Sequence, residues 1–332
     1  MSDIASATLP QGVETFLEAA GWSEAEIEPL AGDASFRRYF RVRRGAKSAM
    51  LMDAPPPNEN PGPFLRAARW LDGNGIRAPH IYAADEARGL VLLEDFGEAR
   101  MRDYLDQWPE DEREVYRAAV DALLTLHQLP AGPFLDYNIG EYQREARLLI
   151  DWYCRAQNLH VDGEGYVAAW EQVLTEVLPG QRPPVTVLRD YHAENIMLLD
   201  SLHKQGVLDF QDALIGHPAY DLVSLLQDAR RDVSADLEGE MFDHYLSKSG
   251  RDPAAFLADY ARLGAQRNAK IVGIFVRLWK RDGKPRYLDL IPRVWGLLER
   301  DLTHPALRPV AAWFDRNIPA ELREAGGGGF PV

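Results

Sequence analysis

One ordered set of residues limits this chain more than its length or composition does. The run Leu188-Arg189-Asp190-Tyr191-His192-Ala193-Glu194-Asn195 is followed, past two short apolar stretches, by Leu208-Asp209-Phe210. Residues 185–188 read as a short strand, and residues 196–199 and 206–210 read as a hairpin. Asp190 then lies on a tight loop, Asn195 at the start of the hairpin and Asp209 on its return. Singly, each aspartate is an ordinary turn or cap residue. Together, the three side chains supply what phosphoryl transfer requires. One carboxylate accepts or orients an acceptor hydroxyl, while an amide oxygen and a second carboxylate hold Mg2+ against phosphates. Oxygen-only ligands suit a hard ion of this kind. The pattern points to Asp190 as the catalytic residue and to Asn195 and Asp209 as metal ligands.

The rest of the chain changes character along its length. Its 332 residues allow two units at about 150 residues each. A 46% hydrophobic share with 8 Trp, 13 Tyr and 12 Phe supports a large core and excludes a disordered, collagen-like or coiled-coil chain. A net charge of −14 argues against a surface built for nucleic acid or anionic lipid. No apolar stretch approaches the ~20 residues that span a bilayer. The N-terminus lacks the pattern of a secretory signal, and the single Cys154 cannot form an internal disulfide. These features predict a reduced, cytoplasmic setting with no nucleic-acid or membrane partner.

Residues 13–20 predict a helix ended by Gly21, and residues 24–30 a further helical turn. Residues 36–43 and 48–52 predict a hairpin, 64–71 a helix, and 81–84 and 90–93 two more strands. Beyond Gly97 the periods are helical, with single helices expected over 142–157 and 166–177 and a helical series from Tyr220 to Phe314. The glycine run at 326–329 reads as a flexible tail. The division this suggests is 1–96, nucleotide-binding with a hinge at about 93–97, and 97–332, carrying the catalytic loop, metal site and acceptor site.

The ordered set resembles the catalytic loop and metal-binding motif of the protein-kinase-like fold. Leu188 stands where protein kinases have His, and Gln211 where they have Gly. His217-Pro218-Ala219-Tyr220-Asp221-Leu222 looks like the run that follows the metal aspartate in aminoglycoside and choline phosphotransferases. There is no Ala-Pro-Glu run and no activation segment of useful length between Asp209 and Tyr220, which disfavours a protein acceptor. The resemblance implies an α+β, bilobal protein-kinase-like fold, with a small N-lobe built on an antiparallel sheet and a larger, mainly helical C-lobe. It implies ATP and Mg2+ as cofactors. Asp221 is either a helix N-cap or, as the resemblance implies, a structural brace for the catalytic-loop backbone.

On the nucleotide side, Gly32-Asp33-Ala34-Ser35 sits where the family folds a loop over phosphates, although one glycine does not make a G-x-G-x-x-G fingerprint. Ser35 and Phe36 are the candidate residues there. Leu92-Leu93-Glu94-Asp95-Phe96-Gly97 resembles the hinge that holds adenine, so Glu94, Asp95 and Phe96 join the nucleotide set. Met52 occupies the strand on which protein kinases carry a lysine, and the next helix offers Arg66 and Arg69 rather than Glu. ATP brings about four negative charges into an already acidic chain. Side chains alternate along a strand, so Arg37 or Arg38 is expected to face the phosphates, with the other arginines forming a solvated basic edge.

The acceptor is the harder question. Between Asp259 and Asp289 the only acid is Asp282, against eight basic residues from Arg262 to Arg286. If that region borders the acceptor, a polycation is disfavoured; as a solvated charge run it says nothing. Residues 31–40, 51–56 and 188–195 together are similar to the bacterial cell-wall sugar kinases, which phosphorylate the anomeric hydroxyl of N-acetylmuramate and N-acetylglucosamine in peptidoglycan recycling. This implies a sugar 1-phosphate passed to a nucleotidyltransferase without a stable complex, and sugar contacts from His192, Glu194 and Asp212. Two competing readings are a kinase for an aminoglycoside, choline or an amino alcohol, and a non-catalytic nucleotide-binding module lacking the strand lysine. The intact Asp190, Asn195 and Asp209 speak against the second.

Overall fold

Five strands make one antiparallel sheet in the order β1-β2-β3-β5-β4: β1 (Glu26–Pro29), β2 (Arg38–Arg44), β3 (Lys47–Asp53), β4 (Ile81–Asp85) and β5 (Leu90–Glu94). The computed structural model describes residues 8–30 and 37–330, so the expectations for Ser35 and Phe36 fall outside the described residues. The register of the central hairpin sets Arg38 opposite Asp53, Tyr39 opposite Met52 and Phe40 opposite Leu51. The helical turn expected at 24–30 is instead β1. Its polar–apolar alternation lets Ile27 pair opposite Val42, and the ladder satisfies backbone groups that one isolated helical turn would leave open. Pro29 is tolerated at the end of an edge strand.

α1 (Val13–Ala19) packs Phe16 and Leu17 onto Phe40, Val42, Leu51 and Leu92 of this sheet. α2 (Gly62–Gly73) carries Pro63 in its first turn and buries Phe64, Leu65, Ala67, Ala68 and Leu71. The chain leaves it through Gly75 at φ 78°, a left-handed conformation that favours glycine.

The chain forms two compact units: Met1–Tyr104 with Glu194–Asp212, and Leu105–Ala193 with Ala213–Val332. β6 (Val185–Val187) and β9 (Leu214–Gly216) pair in the second, whereas β7 (Ile196–Leu198) and β8 (Gln205–Val207) form a ribbon in the first. A division at residue 97 puts that ribbon among the helices. It groups with the first unit because Leu198 N–H donates to Ala99 O (2.7 Å) and Val207 N–H to Arg77 O (2.8 Å). A Cβ at Gly206 would come within 2.5 Å of the Phe96 ring, so only glycine permits this close packing. The sequence reading did not anticipate β9, whose three residues are too short to show a period.

In chain order the helices continue as α3 (Met101–Gln107), α4 (Glu112–Gln128), α5 (Ile139–Ala146), α6 (Gly163–Thr175), α7 (Ala219–Leu226), α8 (Ala235–Ser249), α9 (Pro253–Asp282), α10 (Ile291–Leu302) and α11 (Arg308–Asn317). The caps explain the limits of the longest. Asp252 accepts the Ala255 N–H (2.8 Å), Pro253 occupies the first turn, and Gly283 ends α9 at φ 66°. The helix expected over 142–157 is divided: α5 ends at Ala146 and a wider π-type segment runs from Leu149 to Cys154. Leu148 lies so close to Gly273 of α9 that a Cβ there would sit 2.3 Å from its backbone, and tertiary packing of this kind overrides local periodicity. The glycine tail is also held, since Gly327 O accepts from Tyr153 Oη (2.9 Å) and Gln157 Nε2 (3.1 Å). Among the described residues no helix is long and apolar enough to cross a membrane.

Candidate active site

In the second unit, the loop after β6 hangs on one carboxylate. Asp221 accepts the Leu188 N–H at 2.6 Å and the Arg189 N–H at 2.8 Å. It sits inside α7, whose N-cap position is Pro218, so the capping alternative does not hold. Burial pushes its carboxyl up to about 7 despite the two donors. Arg189 adopts φ 74°, an uncommon conformation for a non-glycine residue. Its guanidinium pairs with Glu145 and lies 5.6 Å over the Tyr137 ring.

Glu145 is the centre of a buried network. It pairs with Lys270 at 3.0 Å and accepts the Tyr137 hydroxyl, while Lys270 also donates to Tyr220 Oη at 3.3 Å. Three residues earlier on α9, buried Arg267 donates to Ser224 Oγ (2.7 Å). Burial alone would raise the Asp190 carboxyl. The positive charges of Lys270, Arg267 and Arg189 outweigh it and hold the group below the usual carboxylate range. His192 is 4% exposed, with its ring Nε2 3.3 Å from Arg230 Nη1 and its N–H donating to Asp190 O (3.2 Å). Buried Asp228 accepts from Ala193 N–H (3.2 Å) and Arg230 N–H (2.8 Å).

The basic run on α9 is thus not uniform. Arg267 and Lys270 are buried, whereas Arg281 pairs with the adjacent Asp282 at the surface. Sequence reasoning missed Glu145 and Asp228. It also read Lys270 as one charge in a series, although its flanking Ala269 and Ile271 were a sign of burial.

In the first unit, Leu208 N–H donates to Asn195 O (2.8 Å), extending the β7–β8 ladder by one pair. Asn195 and Asp209 therefore lie at the same end of the ribbon. Asp209 is exposed, at φ 57°, and accepts from Gln211 Nε2 (2.8 Å). The next residue, Phe210, is fully buried and stacks on Phe64 of α2 at 5.2 Å. An amide oxygen and a carboxylate at one ribbon end are the hard donors Mg2+ takes. No group of three or more His, Cys, Asp or Glu that could hold a metal occurs among the described residues.

The two arginines named for the phosphates separate clearly. Arg38 is locked onto Asp53, its Nε 2.9 Å from a carboxylate that is 2% exposed. Arg37 pairs with Glu59 at 3.2 Å, and its charge acts on the phenol of Tyr39. That phenol also feels the charges of Asp209 and Glu59 and, raised mainly by burial, donates to Met52 Sδ (3.5 Å). Met52 is itself fully buried. In the segment expected to form a hinge, Glu94 pairs with Arg77 (2.7 Å), Asp95 with Arg41 (2.8 Å), and Phe96 lies under the Arg77 guanidinium (4.7 Å). These side chains tie the sheet together. Glu194 pairs with Arg102, and Asp212 is exposed.

Solved structures share this architecture. A choline/ethanolamine kinase family protein from Mesorhizobium loti matches with a TM-score of 0.62 over 92% of this chain and 97% of its own, at 17% identity. An ADP-bound aminoglycoside phosphotransferase matches at 0.56, over 86% and 95%, at 14% identity. The fold is therefore α+β and protein-kinase-like, with an antiparallel sheet toward the N-terminus and a larger helical part. The phosphotransferase enzyme family matches over residues 26–258, and the chain belongs to that family. It is 38% identical to the N-acetylmuramate/N-acetylglucosamine kinase of Caulobacter vibrioides, over 93% of this chain and 96% of that protein. It is equally 38% identical to the Pseudomonas aeruginosa kinase of the same name, over 89% of each.

Proposed function

We propose that this phosphotransferase uses ATP to phosphorylate the anomeric hydroxyl of N-acetylmuramate and N-acetylglucosamine. The observation that carries the reading is the near full-length similarity to kinases named for those two sugars. Asp190 accepts a hydrogen bond from the acceptor hydroxyl, aims it, and takes its proton late. A carboxylate held below its usual range is a weak base, which suits a loose transition state in which positioning does most of the work. Asn195 and Asp209 would hold Mg2+, which when bound neutralises phosphate charge. Arg37 adds a second positive charge on the phosphate side, while Asp221 keeps the catalytic loop in place. The three cations Lys270, Arg267 and Arg189 near Asp190 disfavour a polycationic acceptor such as an aminoglycoside.

In this reading residues 1–96 carry the nucleotide, with adenine on backbone groups of the hinge. Residues 97–332 carry the acceptor, with Asp212 and the His192–Glu194 loop beside the sugar. The product is a sugar 1-phosphate, a substrate for a nucleotidyltransferase, and the setting is cytoplasmic. The test is ADP release with N-acetylglucosamine and with its methyl glycoside, in which the anomeric oxygen is blocked. Turnover is expected with the free sugar alone; equal turnover of both would place the phosphate on another hydroxyl and overturn the anomeric assignment.

A further inference from the structure

We infer that Asp228 and Arg230 are positioning residues for the catalytic loop: the carboxylate holds the loop at Ala193, and the guanidinium fixes the His192 ring as the tautomer with its proton on Nδ1. The inference rests on the kinase reading above, in which Asp190 meets the acceptor. Its support lies within the second unit. Asp221 takes the N–H groups of Leu188 and Arg189, just before Asp190. Asp228 takes the N–H of Ala193 at 3.2 Å, just after it. Asp190 is thus bracketed by two buried carboxylates presented from one element, since Asp221 lies inside α7 and Asp228 just past its end at Leu226.

The backbone that presents Asp228 is pinned on both sides. The Gln227 amide donates to Asp301 Oδ1 (3.0 Å) and accepts from Asn268 Nδ2 (2.7 Å). Arg231 donates to Asp106 (2.6 Å) and Glu112 (2.9 Å), and Asp232 holds Arg293 at 3.0 Å. Between these anchors the second Asp228 oxygen accepts the Arg230 N–H at 2.8 Å, the local turn that an aspartate closes on a donor two residues further on. That bond fixes where the Arg230 side chain starts, and the Phe275 ring of α9 lies 6.0 Å from its guanidinium. Arg230 Nη1 is 3.3 Å from His192 Nε2. A guanidinium only donates, so that ring nitrogen accepts, and a neutral imidazole accepting through Nε2 carries its proton on Nδ1. Burial favours the neutral ring as well. Asp228 therefore acts on the loop twice, directly at Ala193 and through Arg230 on His192.

The test uses the full chain and two readouts. The first is steady-state ADP release with N-acetylglucosamine, with rates taken per folded molecule below each variant's melting temperature. Asp228→Asn keeps the size of the side chain but leaves one accepting oxygen for two N–H groups. It is expected to lower kcat about 10-fold while the Mg·ATP KM stays within about 2-fold. Asp232→Asn, a control on the same segment that breaks a pair whose carboxylate is exposed, should change neither by more than about 2-fold. The second readout is the pair of nitrogen-15 shifts of His192 in histidine-labelled protein near neutral pH, identified by their loss in His192→Gln. Wild type is expected to show the Nδ1–H pattern, and Arg230→Met to lose it to Nε2–H or to a mixture of the two. An Nε2–H or imidazolium pattern in wild type would overturn the inference. So would a kcat for Asp228→Asn within about 2-fold of wild type, or a fall in kcat matched by an equal rise in the Mg·ATP KM, the mark of a merely structural role. Arg230→Met, at a partly exposed position, carries the test if Asp228→Asn fails to fold, and an unchanged Nδ1–H pattern there would count against the inference. A wild-type protein that turns over no sugar would defeat the kinase reading itself, a result distinct from normal wild-type turnover with indifferent variants.

Discussion

The two charged clusters of this molecule are built in opposite ways. Around Asp190, Glu145, Lys270 and Arg267 are buried and Arg189 nearly so; Glu145 holds Lys270, Arg189 and the Tyr137 hydroxyl together, and Arg267 donates to Ser224. At the ribbon end of the first unit, Asp209 is exposed and accepts from Gln211 Nε2 (2.8 Å). Buried charges cannot be unpaired cheaply, so the first arrangement fixes a carboxylate in one position and one ionisation state. An exposed carboxylate pays little to change partners, so Asp209 can exchange its contact with Gln211 for an ion. In the function proposed above, the carboxylate that meets the acceptor is thus the fixed one, and the carboxylate that meets the metal is the one open to solvent.

The largest way to break this contrast is Asp190→Asn, which is expected to lower kcat at least about 1,000-fold while the melting temperature moves by only a few degrees. Steady-state ADP release and calorimetry on the same preparation decide it, and activity above about a tenth of wild type would remove Asp190 from its role.

Next in size is Lys270→Met. It strands Glu145 beside fewer cations and is expected to cost about 3–5 kcal/mol in urea unfolding, with Glu145→Gln added to it restoring part of the loss. A loss below about 1 kcal/mol would show the cluster to be as loosely held as a surface pair. Asp221→Ala leaves the Leu188 and Arg189 N–H groups without their acceptor and should cost about 1–3 kcal/mol. Because it loosens the loop that carries Asp190, it should lower kcat more than it raises the sugar KM.

The pH dependence sharpens the comparison further. His127 is bonded to Tyr245 Oη (2.8 Å), and burial lowers its ring to about 3. The folded protein keeps it neutral, whereas the unfolded chain protonates it near 6.5. Its contribution to stability is therefore complete above 6.5 and is lost as pH falls toward 3, at up to about 1.4 kcal/mol per pH unit. Buried His192 and His217 are lowered too and act with the same sign. Asp221 acts in the opposite sense, its contribution being complete below 3.8 and lost as pH rises through about 7. His127→Gln should flatten the fall in unfolding free energy between about pH 6 and 4 by close to one proton's worth; an unchanged slope would contradict this. The smallest effect belongs to Arg43→Ala, which breaks an exposed pair with Glu28 and should stay within about 0.5 kcal/mol.

What could be read in the sequence was local. Asn195 and Asp209 lie at the same end of the ribbon because a hairpin returns the chain on itself, and both apolar runs of that hairpin are visible. The hairpin of β2 and β3 was legible for the same reason. Glu145 and Lys270 lie far apart in the chain and carry no shared pattern, so only tertiary packing brings them together. The alternation of β2 implied that Arg37 and Arg38 point to different sides but not which side faces the phosphates. Asp53 engages Arg38 and Glu59 engages Arg37, and neither acid had been singled out. β1 and β9, of four and three residues, owe their conformation to their partners rather than to their own propensity.

The most direct test of the account is coupled ADP release by the wild-type chain with N-acetylmuramate, N-acetylglucosamine, choline and kanamycin, each in the presence of Mg2+. The account predicts saturable turnover with the two sugars and background rates with choline and kanamycin. Saturable turnover with choline or kanamycin and none with either sugar would contradict it.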